Sequence, residues 1–188
     1  EDKVAGLVTK AVELDSIETN KATYLKTLAV AFDNQKRTKD AAIWYNKILG
    51  VKKNPSNVDI YNAGYAFFRA AEFDSSAAVF RFYETKYPND IFGYYMEAKA
   101  LAGKDSTGAL GLAVPAYEKA IAIGEAAPDK AKVLNQLSGA YKYFVEYYYN
   151  VKKDQATSIS YLDKALLLEP NDAQLLANRE FISKNDPK

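Results

Sequence analysis

Twenty-four carboxylates, 25 lysine and arginine side chains and 15 tyrosines carry whatever chemistry this 188-residue chain performs, because it contains neither histidine nor cysteine. Without imidazole or thiol there is no ordinary general base at neutral pH, no thiolate nucleophile, no disulfide and no usual zinc ligand set. A histidine-activated serine is ruled out with them, and no G-x-S-x-G elbow occurs. Phosphate-cradling loops of the G-x-x-x-x-G-K-[ST] or G-x-G-x-x-G form are missing too. Carboxylate pairs remain. Asp15 and Glu18 could form an acid–base dyad of the glycosidase kind, but a pair at a helix boundary reads more simply as capping. The Asp-containing turns lack the twelve-residue pattern of a calcium loop. The expectation is a chain with no catalytic residues, no metal and no cofactor.

Composition narrows the class further. Hydrophobic residues make up 48% of the chain, enough for a packed core. The formal net charge is +1, which provides no field for holding nucleic-acid phosphates. Basic residues gather only as Lys36-Arg37 with Lys39 and as the pairs Lys52-Lys53 and Lys152-Lys153. No apolar run approaches the ~18 residues of a bilayer span, so neither nucleic acid nor membrane insertion is expected. Met96 is the single methionine, which points to a removed leader or to a piece of a longer chain.

The elements that must position these side chains announce themselves by repetition. Thr9-Lys10-Ala11-Val12-Glu13-Leu14 is echoed by Asn46-Lys47-Ile48-Leu49, by Glu118-Lys119-Ala120-Ile121-Ala122-Ile123 and by Asp163-Lys164-Ala165-Leu166-Leu167-Leu168-Glu169-Pro170. A degenerate copy lies at Arg81-Phe82-Tyr83-Glu84-Thr85-Lys86-Tyr87-Pro88. The copies stand about 35 to 45 residues apart, the period of helix-pair solenoids. Stop-and-restart signals follow the phrases: Pro55-Ser56-Asn57, Pro88-Asn89-Asp90, Pro128-Asp129 and Pro170-Asn171-Asp172. Proline cannot continue a helix, and Ser, Asn or Asp caps the next one. Between these marks the apolar residues recur at helical spacing, and strand-like alternation is absent.

Each unit divides into two helices. First helices carry Leu25, Leu28, Ala29 and Phe32; Ile60, Ala63, Gly64 and Phe67; Tyr94, Ala98 and Leu101; and Leu134, Leu137, Ser138 and Tyr141. Second helices pair a small residue with a large one a turn later: Ala41 with Tyr45, Ser76 with Phe80, Ala113 with Tyr117 and Ser158 with Leu162. Small residues let helices approach closely, and the large ones fill the space between units.

This pattern, ending in Ala165-Leu166-Leu167-Leu168-Glu169-Pro170, resembles the tetratricopeptide repeat (TPR) over roughly residues 22 to 170. The phrase Gly111-Leu112-Ala113-Val114-Pro115-Ala116-Tyr117-Glu118-Lys119 is similar to one in bacterial envelope members of that family. The resemblance implies an all-α, right-handed superhelical solenoid of antiparallel helix pairs forming a single domain. Repeats would cover 22–56, 57–90, 91–128 and 129–170, with a half-repeat or N-terminal helix over 1–16 and a capping helix over 172–184. Three departures are expected: two extra residues before Pro55, a polar loop at Gly103–Gly108, and one long helix from about 129 to 150, roughly 33 Å at 1.5 Å per residue, that projects past its neighbours; in the capping helix Leu175, Leu176 and Phe181 would cover the last unit.

The resemblance also implies a protein or peptide partner held on the concave face by first-helix residues. Candidates are Lys26, Val30 and Asp33; Tyr61, Asn62, Tyr65 and Arg69; Phe92, Tyr95 and Lys99; and Asn135 and Lys142. Rings supply buried area, while amide and cationic groups meet peptide carbonyls and carboxylates. The carboxylate clamp of chaperone-tail adaptors is not reproduced, because Lys26 with Val30, Asn62, and Phe92 with Met96 match it at two of five places, and Val30, Phe92 and Met96 donate nothing. The ring-rich run Tyr141–Tyr149 is expected to pack on the helix over 157–168; its alternative is a docking patch. The envelope-type phrase implies a periplasmic or cell-envelope location, and with it a second role as an assembly component of a bacterial envelope complex.

Overall fold

The described residues, 2–187, form ten α-helices in a computed structural model, several of them begun at Asp, Ser or proline. They are α1 (Asp2–Leu14), α2 (Glu18–Asn34), α3 (Thr38–Val51), α4 (Asn57–Arg69), α5 (Phe73–Lys86), α6 (Ile91–Lys104), α7 (Val114–Ala126), α8 (Leu134–Glu146), α9 (Gln155–Leu168) and α10 (Ala173–Lys184). Short 3₁₀ and π segments at Lys130–Lys132 and Tyr147–Lys152 flank α8. No strand occurs among the described residues. Three of the turns supply the caps their residues imply. Ser56 and Asp59 form a reciprocal capping box on α4, and Asp90 and Asp172 accept the first free amides of α6 and α10. Each such cap contributes about 1 kcal/mol. Asp15 accepts the Ile17 amide at 2.8 Å and the Tyr24 hydroxyl at 2.8 Å, closing the α1–α2 corner.

The chain divides into two compact units, one ending at Pro88 and the other beginning at Asn89. In the first, α2 packs on α3, α3 on α4 and α4 on α5, with α1 laid on α2. In the second, α6 through α10 pack successively. The hairpins α2/α3, α4/α5, α6/α7 and α8/α9 use small residues where their helices meet. Ala29, Ala41, Ala98 and Ala165 are fully buried. At Gly64 a Cβ would stand 2.7 Å from Cζ of the Phe80 ring, itself fully buried. Two hairpins share a further device: the buried Ser76 hydroxyl donates to the Gly64 carbonyl at 2.9 Å, and the buried Ser158 hydroxyl donates to the Val145 carbonyl at 2.8 Å. The α2/α3 and α4/α5 turns also match. Lys36 and Ala71 both adopt left-handed backbone, and the following amides of Arg37 and Glu72 return to the carbonyls of Phe32 and Phe67. This is the Schellman ending, here without the glycine that would adopt it free of strain.

Three expectations need correction. The helix placed over 129–150 is broken into a 3₁₀ turn, α8 and a π-turn. Asp129 caps the 3₁₀ turn instead of starting a long helix, and the chain leaves the π-turn through left-handed Lys153. Gly103 and Lys104 belong to α6, so the inserted loop begins only at Asp105. In α10 the buried face carries Leu175 and Ile182, whereas Leu176 and Phe181 are exposed. Arg179 is held to Asp163 at 2.7 Å, and burial of Leu175 in the core and of Ile182 against Val145 and Leu162 fixes the rotation of the helix.

Candidate functional site

Ser56 fixes the start of α4, and from there the spacing 61, 65, 68 sets three rings along one side of the helix. Tyr61 and Tyr65 stack at 5.4 Å with planes 9° apart, and Tyr65 and Phe68 stack at 6.2 Å. Tyr65 is exposed and Tyr61 half-buried, so the ladder has a solvent-facing edge. Arg69 closes the row with its guanidinium 5.6 Å from the Tyr65 centroid. Both Asp33 oxygens accept from Arg69 Nη2, at 2.7 and 2.8 Å, which ties the end of α4 to the end of α2. A partly exposed pair of this kind contributes at most about 1 kcal/mol; its effect here is to hold the guanidinium in one place. Tyr45 of α3 sits behind it, and burial, then the Asp33 charge, raises its hydroxyl above the ordinary range. Lys26 and Val30 lie exposed on α2, and Asn62 is half-buried beside Tyr61. In the first unit the structure therefore brings Tyr61, Tyr65, Arg69 and Asp33 together.

In the second unit the candidates are engaged differently. Tyr95 on α6 meets Tyr117 edge-on at 6.0 Å, and its hydroxyl presses on Gly139 of α8, where a Cβ would come within 2.5 Å. Burial raises the Tyr95 hydroxyl, and the charge of Lys142 opposes that shift. Lys99 holds its ammonium 5.7 Å from the Tyr95 centroid. Lys142 is bound to Glu169 at 2.9 Å and Asp172 at 3.1 Å. Ser138 donates to the same Glu169 carboxylate. Phe92 is half-buried and Asn135 exposed. Lys142 thus acts as a clasp between α8 and the α9–α10 corner.

Only part of the Tyr141–Tyr149 run packs on α9: Tyr141, Phe144 and Tyr148 meet Tyr161, whereas Tyr143 and Tyr147 stack along Tyr117 of α7 and Tyr149 meets Phe181 of α10. Phe144 is fully buried and stacks on Tyr161 of α9 at 4.8 Å, and Tyr148 stacks on Tyr161 at 5.6 Å. Tyr117, Tyr143 and Tyr147 continue the row at 4.3 and 5.8 Å. Burial pushes the Tyr143 hydroxyl up to about 12, with Tyr147 and Asp105 adding to the shift. Sequence reading missed Phe68, which the i, i+3 step from Tyr65 could have revealed, and it took in Tyr143 only as one ring of the Tyr141–Tyr149 run. Among the described residues no group of three or more acidic side chains could hold a metal ion, and no helix is long and apolar enough to cross a membrane.

Among the solved structures similar to this chain are two that match it along most of its length. One is the C-terminal part of a TPR repeat-containing protein from Cytophaga hutchinsonii, with a TM-score of 0.74 and 24% identity, covering 91% of this chain. The fold is that of the tetratricopeptide-repeat proteins. This chain spans 64% of that one, less than two thirds of its length. The other is MamA 41-end from Desulfovibrio magneticus RS-1, with a TM-score of 0.54 and 17% identity, covering 92% of this chain and 96% of that one. No family model and no curated protein matches the sequence.

Proposed function

We propose that this chain is a protein- or peptide-binding TPR scaffold that receives an extended or helical polypeptide on first-helix side chains. The carrying observation is the Tyr61–Tyr65–Phe68 ladder, stacked in near-parallel planes, open at Tyr65 and bounded by the oriented Arg69 guanidinium. A row of rings with amide and cationic groups beside it offers apolar area along its length and donors at its edge. Lys26, Val30 and Asn62 extend the surface in the first unit. Phe92, Tyr95, Lys99 and Asn135, with Lys142, are the corresponding contacts in the second. The reading assigns no catalysis, no cofactor and no nucleic acid. Tyr61→Ala/Tyr65→Ala is expected to lower partner capture at least tenfold, about what two lost interfacial aromatics cost, in a variant whose circular dichroism shows the helices retained. Undiminished capture by a folded double variant contradicts the reading.

A second reading rests on a different surface. Asn46, Leu49, Phe67, Val79 and Phe82 line an open, mainly apolar groove of about 340 Å³ among α3, α4 and α5. Contact there suits a structural assembly component of a bacterial cell-envelope complex, at a periplasmic or envelope location, with partners outside the ladder. Phe82→Asp separates the two readings, since it should abolish assembly under the second and leave capture intact under the first.

A further inference from the structure

Helix α1 carries apolar residues on two faces, and the fold covers one of them. Ala5, Val8 and Val12 pack against the core of the first unit. Val4, Leu7, Ala11 and Leu14 lie roughly 110° round the helix from that face, at 100° per residue. Their 3-4-3 spacing is that of a seam between two helices. Val4 is 52%, Leu7 67% and Leu14 79% exposed. Three large aliphatic side chains open to water along one helix gain solvation free energy when something covers them.

The repeat shows what this face meets elsewhere. Aligning Lys10-Ala11 with Lys47-Ile48, Lys119-Ala120 and Lys164-Ala165 sets Ala11 level with Ile48, Ala120 and Ala165, all buried. It sets Val4 level with Ala41, Ala113 and Ser158, which are buried as well. Those three small residues meet the first helix of their hairpin. Ala41 shares its core with Ala29 of α2, Ala113 shares its core with Ala98 of α6, and Ser158 donates to the Val145 carbonyl of α8 at 2.8 Å. In three hairpins, then, this face is covered by a helix. On α1 the same face has no helix among the described residues, and Val4, Leu7 and Leu14 are left open.

We propose that a second copy of this chain covers the face, α1 pairing antiparallel with α1 about a twofold axis. The seam is self-complementary in that arrangement. With the axis level with Thr9, Leu7 of each copy stands opposite Ala11 of the other, and Val4 stands opposite Leu14. Each larger side chain then meets the space a smaller one leaves. A parallel pair would set leucine on leucine and leave the alanines facing a gap. Lys3, Lys10 and Glu13 are exposed along one flank. There Lys3 comes within reach of Glu13 of the second copy, while the Lys10 stems widen the apolar strip and carry their ammoniums outward. The exposed face of α10 offers no matching strip, because the Glu180–Lys184 ion pair runs between Leu176 and Phe181. Two helices of this length bury an area near the lower limit of specific interfaces, about 1,000 Å², so the dissociation constant is on the order of tens of micromolar. The inference does not depend on the ladder, which lies on α4.

The test is sedimentation velocity of the full chain from about 5 to about 500 µM, a range that spans the expected constant. A monomer–dimer equilibrium is expected. Leu7→Asp changes an exposed side chain and should weaken association roughly a hundredfold, with circular dichroism unchanged. Leu167→Asp, at a position 84% exposed on α9, should leave association intact. Disulfide trapping reads the orientation, in a chain that has no native cysteine. Leu7→Cys mixed with Ala11→Cys should cross-link rapidly in a glutathione buffer. Val4→Cys alone should not, because its two copies lie about 15 Å apart along the helix axis at 1.5 Å per residue, beyond disulfide reach. A chain that stays monomeric throughout overturns the proposal and leaves the face to a helix from elsewhere. Undiminished association of Leu7→Asp, or cross-linking of Val4→Cys as fast as the mixed pair, overturns it as well.

Discussion

Adding one methyl group at Gly64 tests the way these hairpins fit together. In Gly64→Ala the new Cβ would lie 2.7 and 2.8 Å from Cζ and Cε2 of Phe80, well inside van der Waals contact. Phe80 is fully buried, so its ring cannot swing into solvent. Overpacking of this kind costs about 1–3 kcal/mol, and replacing a helical glycine with alanine returns about 1 kcal/mol. The net expectation is a destabilisation of about 1 kcal/mol, with the upper end near 2. Trp44, the single tryptophan, lies in α3 of the same unit, so its fluorescence follows that unit in urea. With m of about 1 kcal/mol/M for a unit of this size, the midpoint should fall by about 1 M. Phe80→Leu alone should cost about 1–2 kcal/mol through the space it leaves. Combined with Gly64→Ala it should cost no more than alone, because the methyl then occupies that space, a coupling of about 1 kcal/mol. A midpoint that rises in Gly64→Ala, or strict additivity in the double variant, would refute this account of the packing.

The hydroxyl device makes a second prediction. Ser158→Ala removes the donor to the Val145 carbonyl and should destabilise the second unit by about 1–2 kcal/mol, measured by calorimetry; no change would mean the bond contributes nothing. A third concerns acid. Glu169 is held below its ordinary range by the Ser138 hydroxyl and then Lys142, and Asp172 by the Leu175 amide and then Lys142. Carboxylates lowered by folding contribute stability that is complete above their unfolded values, 4.5 and 3.8, and is lost as pH falls through the folded ones. Amide exchange across Leu175–Ile182, corrected for intrinsic rates, should therefore speed up relative to α6 and α7 between pH 6 and pH 3. Equal protection of α10 at both values would count against the clasp.

Much of the fold was legible because it depends on local chemistry. Gly64, Ser76 and Ser158 stand a turn from large residues, and that spacing permits only close-packed helices. Ser56, Asp90 and Asp172 mark helix starts because their side chains answer free amides nearby in sequence. The π-turn was not legible, since the tyrosine-rich stretch 141–149 keeps helical periodicity whether or not an extra residue is inserted. Nor was the face of α10: Leu175 and Leu176 are adjacent, as are Phe181 and Ile182, so periodicity fits either rotation, and the fit of Leu175 and Ile182 into the core, a tertiary feature, selects one. At the candidate surface, Tyr61 and Tyr65 were named from the tetratricopeptide resemblance, and the stacking of their rings emerged only with the structure. The Asp33–Arg69 and Lys142–Glu169 pairs join residues 36 and 27 positions apart, which no local pattern reveals.

The central claim is that a polypeptide rests on the first-helix face, and site-specific photocrosslinking tests it most directly. A photoreactive phenylalanine analogue placed at Tyr65, or in a parallel chain at exposed Ile43 of α3, would be irradiated in the native cell and its adducts resolved. The account predicts a discrete polypeptide adduct from position 65 and none from position 43. Adducts from position 43 with none from position 65 would contradict it.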